Sequence, residues 1–381
     1  MRKILFVVSS LVSVLVEYLI IYLLFRYLFK ASPIITYGVL IIIFLVMSFL
    51  TITSYIYLHQ KTPADEEKPN EAFLTQIIDE VNRKYHRHFK LFYITSIQPN
   101  PAWCIGNLIY VNNSYRIDED YLGGVIAHEL GHAISGIGNY TFIASLKPST
   151  MISKTIYFAI VALMNQTIKL KKILTKLLLV LYLLFSFNNL LFVYPFIRND
   201  EYLANRVAVN LGYGNELRCY YGLGYNEEID PMLQRIDFMH PKLSAMINQI
   251  NLDLGLTDNE VNFYIINNKL IKCTKMTKTI TLPAEVKIIT RKAFINPHLK
   301  KVSGQGVLQI ESGAFLNNLE LEELVFPNLM SLEMYKFSQL VSLKDIKLNN
   351  EAILLRLIDV FKSSNPRLVK KLEIKLERIK K

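Results

Sequence analysis

The pattern of hydrophobic and polar positions divides the chain into regions of different character. Near the N-terminus Ile4 to Phe25 is apolar but for Glu17, and Ile34 to Leu58 carries no charge at all. At about 1.5 Å per helical residue each run is long enough to cross a hydrocarbon core of roughly 30 Å. A third uncharged run, Leu177 to Ile197, holds Asn188 and Asn189 near its middle. Upstream of it the signal weakens, because within Tyr140 to Ile168 only Thr155 to Ile168 is free of charge.

Between these runs the pattern is that of a folded domain. Lys61 to Glu71, with Pro63 and Pro69, reads as a linker. Ala72 to His88 has helical periodicity through Phe73, Ile77, Ile78 and Val81. Leu91 to Ile97 and Leu108 to Val111 read as short strands around a turn region of Asn100, Pro101 and Gly106. Asp118 to Ile137 reads as a helix opened by acidic residues and closed around Gly136.

From Thr279 onward a period near 22 takes over. Phe294, Phe315 and Phe337 recur in register with Leu299, Leu321 and Leu343, and with Val302, Leu324 and Ile346. Val286, Val307 and Leu329 form a further column, and Ile289, Ile310 and Leu332 another. A period of about 20–29 residues with one short strand per unit is the leucine-rich class, in which each unit buries its apolar edge only against its neighbours. Leu354, Leu357, Ile358 and Phe361 then return to helical spacing, so 351–381 reads as a cap on the stack with a basic tail.

Composition sharpens this picture. Of 381 residues 51% are hydrophobic and 20% charged, and the mean hydropathy is +0.25, the balance of a membrane protein. The first run follows Arg2 and Lys3 as a signal peptide would. It is too long for one and no small-residue cleavage site follows, so an anchor is expected. The net charge is +11, and Lys and Arg outnumber Asp and Glu by ten between Ile265 and Lys381. That field suits anionic headgroups or acidic partners, and equally a plain solvated surface. No recognised nucleic-acid motif accompanies it. Cys104, Cys219 and Cys273 are too scattered for a disulfide framework or a sulfur-ligated metal site and read as reduced thiols. Charges on the loops do not choose an orientation.

The chemistry is concentrated in His128-Glu129-Leu130-Gly131-His132. Histidines four apart share one face of a helix, so both rings reach one zinc ion, with the intervening glutamate turned toward its water. A third protein ligand is required. Glu201 is the first candidate and Asp200 the second, both at the head of a helix that emerges from the third apolar run and sets Asn205 on the same face as Glu201. Two ligand groups on one side of a membrane require an even number of crossings between them. The weak segment at 140–168 is therefore expected to be the returning partner of 177–197, or else both form a non-spanning hairpin.

In this order the motifs resemble the HtpX-like (M48-type) integral-membrane zinc metalloproteases, relatives of the CAAX prenyl endoproteases. The likeness runs over about 1–250 and rests on His128 to His132, on Glu201-Tyr202-Leu203-Ala204-Asn205 and on His240-Pro241. It implies one Zn2+ held by His128, His132 and Glu201, with Glu129 as general base and His240 steadying the oxyanion. It also implies an edge strand, Ala102, Trp103, Cys104 and Gly106, that aligns an extended peptide by strand addition. Without the resemblance, Trp103 is as readily a core aromatic and His240 a surface histidine. Three positions depart from the family pattern: Asn205 stands for Asp behind a ligand ring, Pro101 for Asn, and Met246 for Arg. They weigh against turnover more than against zinc binding. Leu282-Pro283, Ala293-Phe294, Ala314-Phe315 and Phe326-Pro327 resemble BspA-like leucine-rich repeats.

The expected fold is mainly α: multi-pass transmembrane helices with a zincin-like α+β metalloprotease domain, followed by a short leucine-rich-repeat β-solenoid. Its expected parts are two spans in 1–60, a peptidase domain in 61–262 interrupted by a membrane hairpin at about 140–197, repeats in 265–350 and a cap in 351–381. The expected function is cleavage of protein substrates at a bacterial plasma membrane, with the site on the cytoplasmic side and the repeats recognising substrate or a protein partner. The resemblance and the reduced-looking cysteines carry that orientation. The alternatives are a recognition scaffold that has lost turnover, or a sensor protease.

Overall fold

The computed structural model describes residues 2–58, 70–94, 101–113, 119–136, 146–164, 171–224, 240–316, 318–334 and 337–380. The linker at 61–69 lies outside them, as do 95–97 of the first expected strand, Asn100, the end residues Asp118 and Ile137 of the motif helix, and 140–145 and 165–168 of the weak apolar segment. The chain divides into two compact units, Met1–Gly214 with Glu228–Gln249, and Asn215–Glu227 with Ile250–Lys381.

In the first unit, helix α1 (Arg2–Leu23) runs into a π-helical turn at Leu24–Leu28 and is followed by α2 (Pro33–Leu58). Stretches Ile4–Leu28, Pro33–Leu50 and Leu174–Phe192 are each long and apolar enough to cross a membrane. Their outward side chains are apolar, Leu15, Ile34 and Leu184 being about two-thirds exposed or more, which fits a surface solvated by lipid.

Helix α3 (Glu71–Tyr85) buries Leu74, Ile77, Ile78 and Val81. Ile77, Ile78 and Val81 are buried as expected, and Leu74 takes the place of Phe73, which is 40% exposed. Asn82 receives the Phe89 N–H at 2.7 Å and donates to its carbonyl at 3.1 Å, which fixes how the chain leaves α3. Three strands follow, β1 (Lys90–Ile94), β2 (Ala102–Ile105) and β3 (Leu108–Asn112), in the order β1-β3-β2 with β2 antiparallel to β3. Gly106, at φ 62°, makes the turn between β2 and β3, a backbone region that side chains disfavour.

Helix α4 (Glu119–Ser135) places Glu119 and Asp120 in its first turn, where the helix dipole favours them, and stops at Gly136, φ 65°. Helix α5 (Pro148–Met164) and helix α6 (Lys171–Phe192) pack along each other. The apolar run expected to continue to Ile197 breaks at Val193. Pro195 cannot donate a backbone bond and sits in the first turn of a new helix, α7 (Tyr194–Asn210), which packs on α4.

The second unit begins within α8 (Gly214–Gly224). Buried Arg218 of this helix donates to Asn251 Oδ1 and to the carbonyls of Val261 and Phe263, and lies over the Tyr264 ring. Helix α9 (Leu243–Asp253) is followed by an antiparallel hairpin, β4 (Phe263–Ile266) and β5 (Lys269–Cys273). It turns through Asn267 and Asn268, both at positive φ as a two-residue hairpin turn requires.

Two parallel ladders follow. One joins β6 (Thr279–Thr281), β8 (Lys301–Ser303), β10 (Glu323–Val325) and β12 (Asp345–Lys347). The other adds β7 (Ile288–Ile289), β9 (Gln309–Ile310) and β11 (Ser331–Leu332) to β5. All the columns read from the sequence are buried. Between the ladders Phe294 stacks on Phe315 at 5.2 Å, and edge contacts carry the row through Phe337 to Phe361. Asn296 and Asn318 satisfy carbonyls of the preceding turn, and Asn365 does the same for Leu343. Helices α10 (Glu351–Phe361) and α11 (Pro366–Lys380) close the stack with Leu354, Leu357, Phe361, Leu368 and Leu372.

Candidate metal centre

The motif histidines lie on α4 and the carboxylates on α7, and the two helices meet where neither has a bulky side chain. A Cβ added to Gly131 would lie 2.5 Å from the Ala204 Cα and 2.8 Å from its carbonyl oxygen. Such an approach brings the polar side chains of both helices into direct contact in a buried layer.

His128, His132 and Glu201 are the His, Cys, Asp or Glu residues that converge as a group among the described residues, with one ligand atom from each within 4.8 Å of the others. The imidazole Nε2 atoms are 3.1 Å apart. Glu201 Oε2 lies 3.3 Å from the Nε2 of His128, and Oε1 3.4 Å from that of His132. The opposite ring nitrogens are also engaged: His128 Nδ1 is 2.9 Å from Asn205 Oδ1, and His132 Nδ1 is 2.8 Å from Asp200 Oδ2. An amide or carboxylate oxygen can only accept, so each Nδ1 carries a proton and each ring turns its Nε2 toward its neighbour and toward Glu201. Three electron-rich groups facing one another repel unless a cation lies among them, and two imidazoles with one carboxylate is a donor set suited to zinc. The residues present therefore fit that ion.

The electrostatics point the same way. Burial would push the His132 ring down, but Glu201, Asp200 and Glu129 outweigh it and hold the imidazole well above its ordinary range. Burial alone would raise Glu201, yet the facing rings of His132 and His128 hold its carboxyl well below the usual carboxylate range. The cluster takes up positive charge and keeps its carboxylate ionised. Burial raises Glu129, against the pull of His132 and His128.

The remaining residues singled out in the sequence fall as follows. His240, nearly half exposed, sets its Nε2 3.7 Å from Glu201 Oε1. Ala102 is buried on β2, and Trp103 stacks on Tyr110 across the β2–β3 pair at 5.8 Å. Cys104 lies within electrostatic reach of Glu129, Asp200 and Glu201, and burial with those charges raises its thiol well above the usual range. The other edge of β2 is unpaired by any described strand. Pro101 accepts the Asn112 N–H through its carbonyl, and Met246 is buried. Sequence reasoning placed Asp200 among candidate ligands and missed its position behind His132. The signal was there, since adjacent acids at a helix head can serve the two nitrogens of one ring.

Known proteins match the chain in two blocks. The sequence model of "Peptidase family M48" matches residues 66–250, and that of the "BspA type Leucine rich repeat region" matches residues 262–369 in six copies. Six copies exceed the three units read from the sequence; upstream, Cys273 bridges in parallel to Phe294 and extends its column by one unit. No curated protein matches. Among solved structures, the crystal structure of Ste24p from S. mikatae is similar with a TM-score of 0.33 and 17% identity, over 61% of this chain and 61% of that one.

Proposed function

We propose that this chain, which matches the model of peptidase family M48 over residues 66–250 and that of a BspA-type leucine-rich repeat region over 262–369, is a multi-pass membrane zinc endopeptidase of the HtpX-like kind. The observation that carries this reading is the convergence of His128, His132 and Glu201 between two helices, with Glu129 beside them. Zinc held by those three side chains would supply Lewis-acid polarisation of a scissile carbonyl and make water acidic enough to lose a proton near neutral pH. Glu129 takes that proton and passes it to the leaving amine, and His240 steadies the developing oxyanion. Asp200 and Asn205 hold the ligand rings in their tautomers. The unpaired edge of β2, with Ala102, Trp103, Cys104 and Gly106, aligns the substrate backbone.

Two contacts support the membrane arrangement. Ser9 donates to the Phe192 carbonyl at 2.6 Å and Ser13 to Asn188 at 3.1 Å. Helices α1 and α6 are therefore antiparallel, and the N-terminus lies on the side from which α7 carries Glu201. We assign the spans to α1, α2, α5 and α6, although α5, at about 26 Å, is at the short end for a crossing. Domains are assigned as 1–60, 61–262, 265–350 and 351–381, with the site facing the cytoplasm of a bacterial plasma membrane. The repeats form a solenoid that recognises protein substrates or a partner.

Detergent-purified protein should degrade an unfolded protein substrate, lose that activity to a chelator and recover it with one equivalent of Zn2+. A zinc-loaded protein with no chelator-sensitive cleavage would leave the second reading, a recognition scaffold, which the neutral partner of His128 favours. The unlike partners of the two rings also have a measurable consequence. Asp200→Asn should weaken zinc about 10–100-fold, and Asn205→Asp should strengthen it, as competition with a chromophoric chelator would read. Equal affinity in all three proteins would mean that neither residue tunes its ring.

A further inference from the structure

Two ionisable side chains lie buried among the apolar helices of the first unit and take no part in the chemistry above. Lys147, fully buried just before α5, donates to Ser13 Oγ of α1 at 2.7 Å and to Asn189 Oδ1 of α6. Glu17 of α1, 9% exposed, accepts from the backbone N–H and the hydroxyl of Ser149 at 2.7 and 2.6 Å, so it caps the N-terminus of α5 from another helix. Asn189 donates onward to Thr150 at 3.1 Å. Ser10, Ser13 and Glu17 share one face of α1, and Ser186 and Asn189 one face of α6, so the polar residues line a seam. Charges at such depth are costly, and each one here is met by several hydrogen bonds.

The seam ends at the joint between α6 and α7. Ser9 holds the Phe192 carbonyl, and Phe6 packs against Val193 and Tyr194 and meets Phe196 edge-on at 5.7 Å. Roughly two turns further along α7 are Asp200 and Glu201. The joint lacks a stiff connection of its own, since the helix breaks at Val193, so the direction of α7 depends on what grips its first turn.

We propose that Lys147 and Glu17 are positioning residues for the metal site: by fastening α1 to the start of α5 and the end of α6, they fix the joint from which α7 presents Asp200 and Glu201 to the histidines. The first apolar helix is then part of the peptidase as well as an anchor. This rests on the zinc-peptidase reading for its effect on turnover, but its effect on metal geometry can be read without any substrate.

The test uses the full-length protein in detergent, loaded with Zn2+ or with Co2+ as a spectroscopic probe. Lys147→Met should weaken zinc about tenfold or more, alter the cobalt d–d spectrum, and lower kcat with KM little changed. Lys147→Arg should restore most of each. Asn189→Leu removes one acceptor and leaves Lys147 bonded to Ser13, and should change the cobalt spectrum in the same direction even if Lys147→Met does not fold. Wild-type zinc affinity and an unchanged cobalt spectrum in folded Lys147→Met, or in Asn189→Leu where the former is unfolded, would overturn the proposal. If wild-type protein cleaves nothing but the spectra respond as stated, the peptidase reading fails and the positioning role stands.

Discussion

Glu129→Gln should retain one zinc ion and lose about 10²–10⁴-fold in kcat, the range that a well-placed general base contributes. The change keeps the shape of the side chain and removes its capacity to take a proton. It leaves untouched the atoms that converge on the cation site, which belong to His128, His132 and Glu201. Metal content and turnover should therefore separate. Zinc measured by elemental analysis beside single-turnover cleavage checks both. Loss of metal in step with activity would mean that Glu129 holds the site together, and residual cleavage near the wild-type rate would remove it as the base.

Much of this centre could be read before any coordinates. Spacing alone put His128 and His132 on one helical face, and Glu201 stood out as an acid at the head of the helix that leaves the third apolar run. The repeat columns were equally plain, because a stack that buries one edge per unit imposes its period on Phe294, Phe315 and Phe337. What stayed hidden depended on partners far away in the chain. The burial of Lys147 is one such case, since its acceptors Ser13 and Asn189 lie on other helices. At the start of α3 Phe73 and Leu74 both fit the period of Ile77, Ile78 and Val81, and only packing against the rest of the fold decides that Leu74 is the one covered. The break at Val193 was masked by apolar residues on both sides of Pro195, since hydropathy does not sense a missing N–H. An upstream repeat unit escaped notice because Cys273 carries no aromatic ring to continue the column of Phe294.

Gly131→Ala tests the contact on which the centre is built, and it should cost more than any loss of a partner behind the ligand rings. Gly131 lies three residues after His128, on the face that α4 turns toward α7. An added methyl group would meet the Ala204 Cα at 2.5 Å and its carbonyl oxygen at 2.8 Å. Ordinary carbon contacts are about 3.5–4 Å, so the helices must separate by about 1 Å. The obstruction is backbone, so trimming Ala204 to glycine cannot relieve it. A site held to about 0.5 Å does not survive that displacement, because His128 and His132 would move away from Glu201 together. Zinc affinity should fall by more than about 100-fold, beyond the range for losing a hydrogen-bond partner behind a ligand, and cleavage should fall with it. The second unit has its own core, so its repeat ladders should persist, which limited proteolysis would register as a surviving fragment. Wild-type zinc affinity in Gly131→Ala would show that α4 and α7 can part without dispersing the ligands, and the close approach of these helices would no longer explain the site.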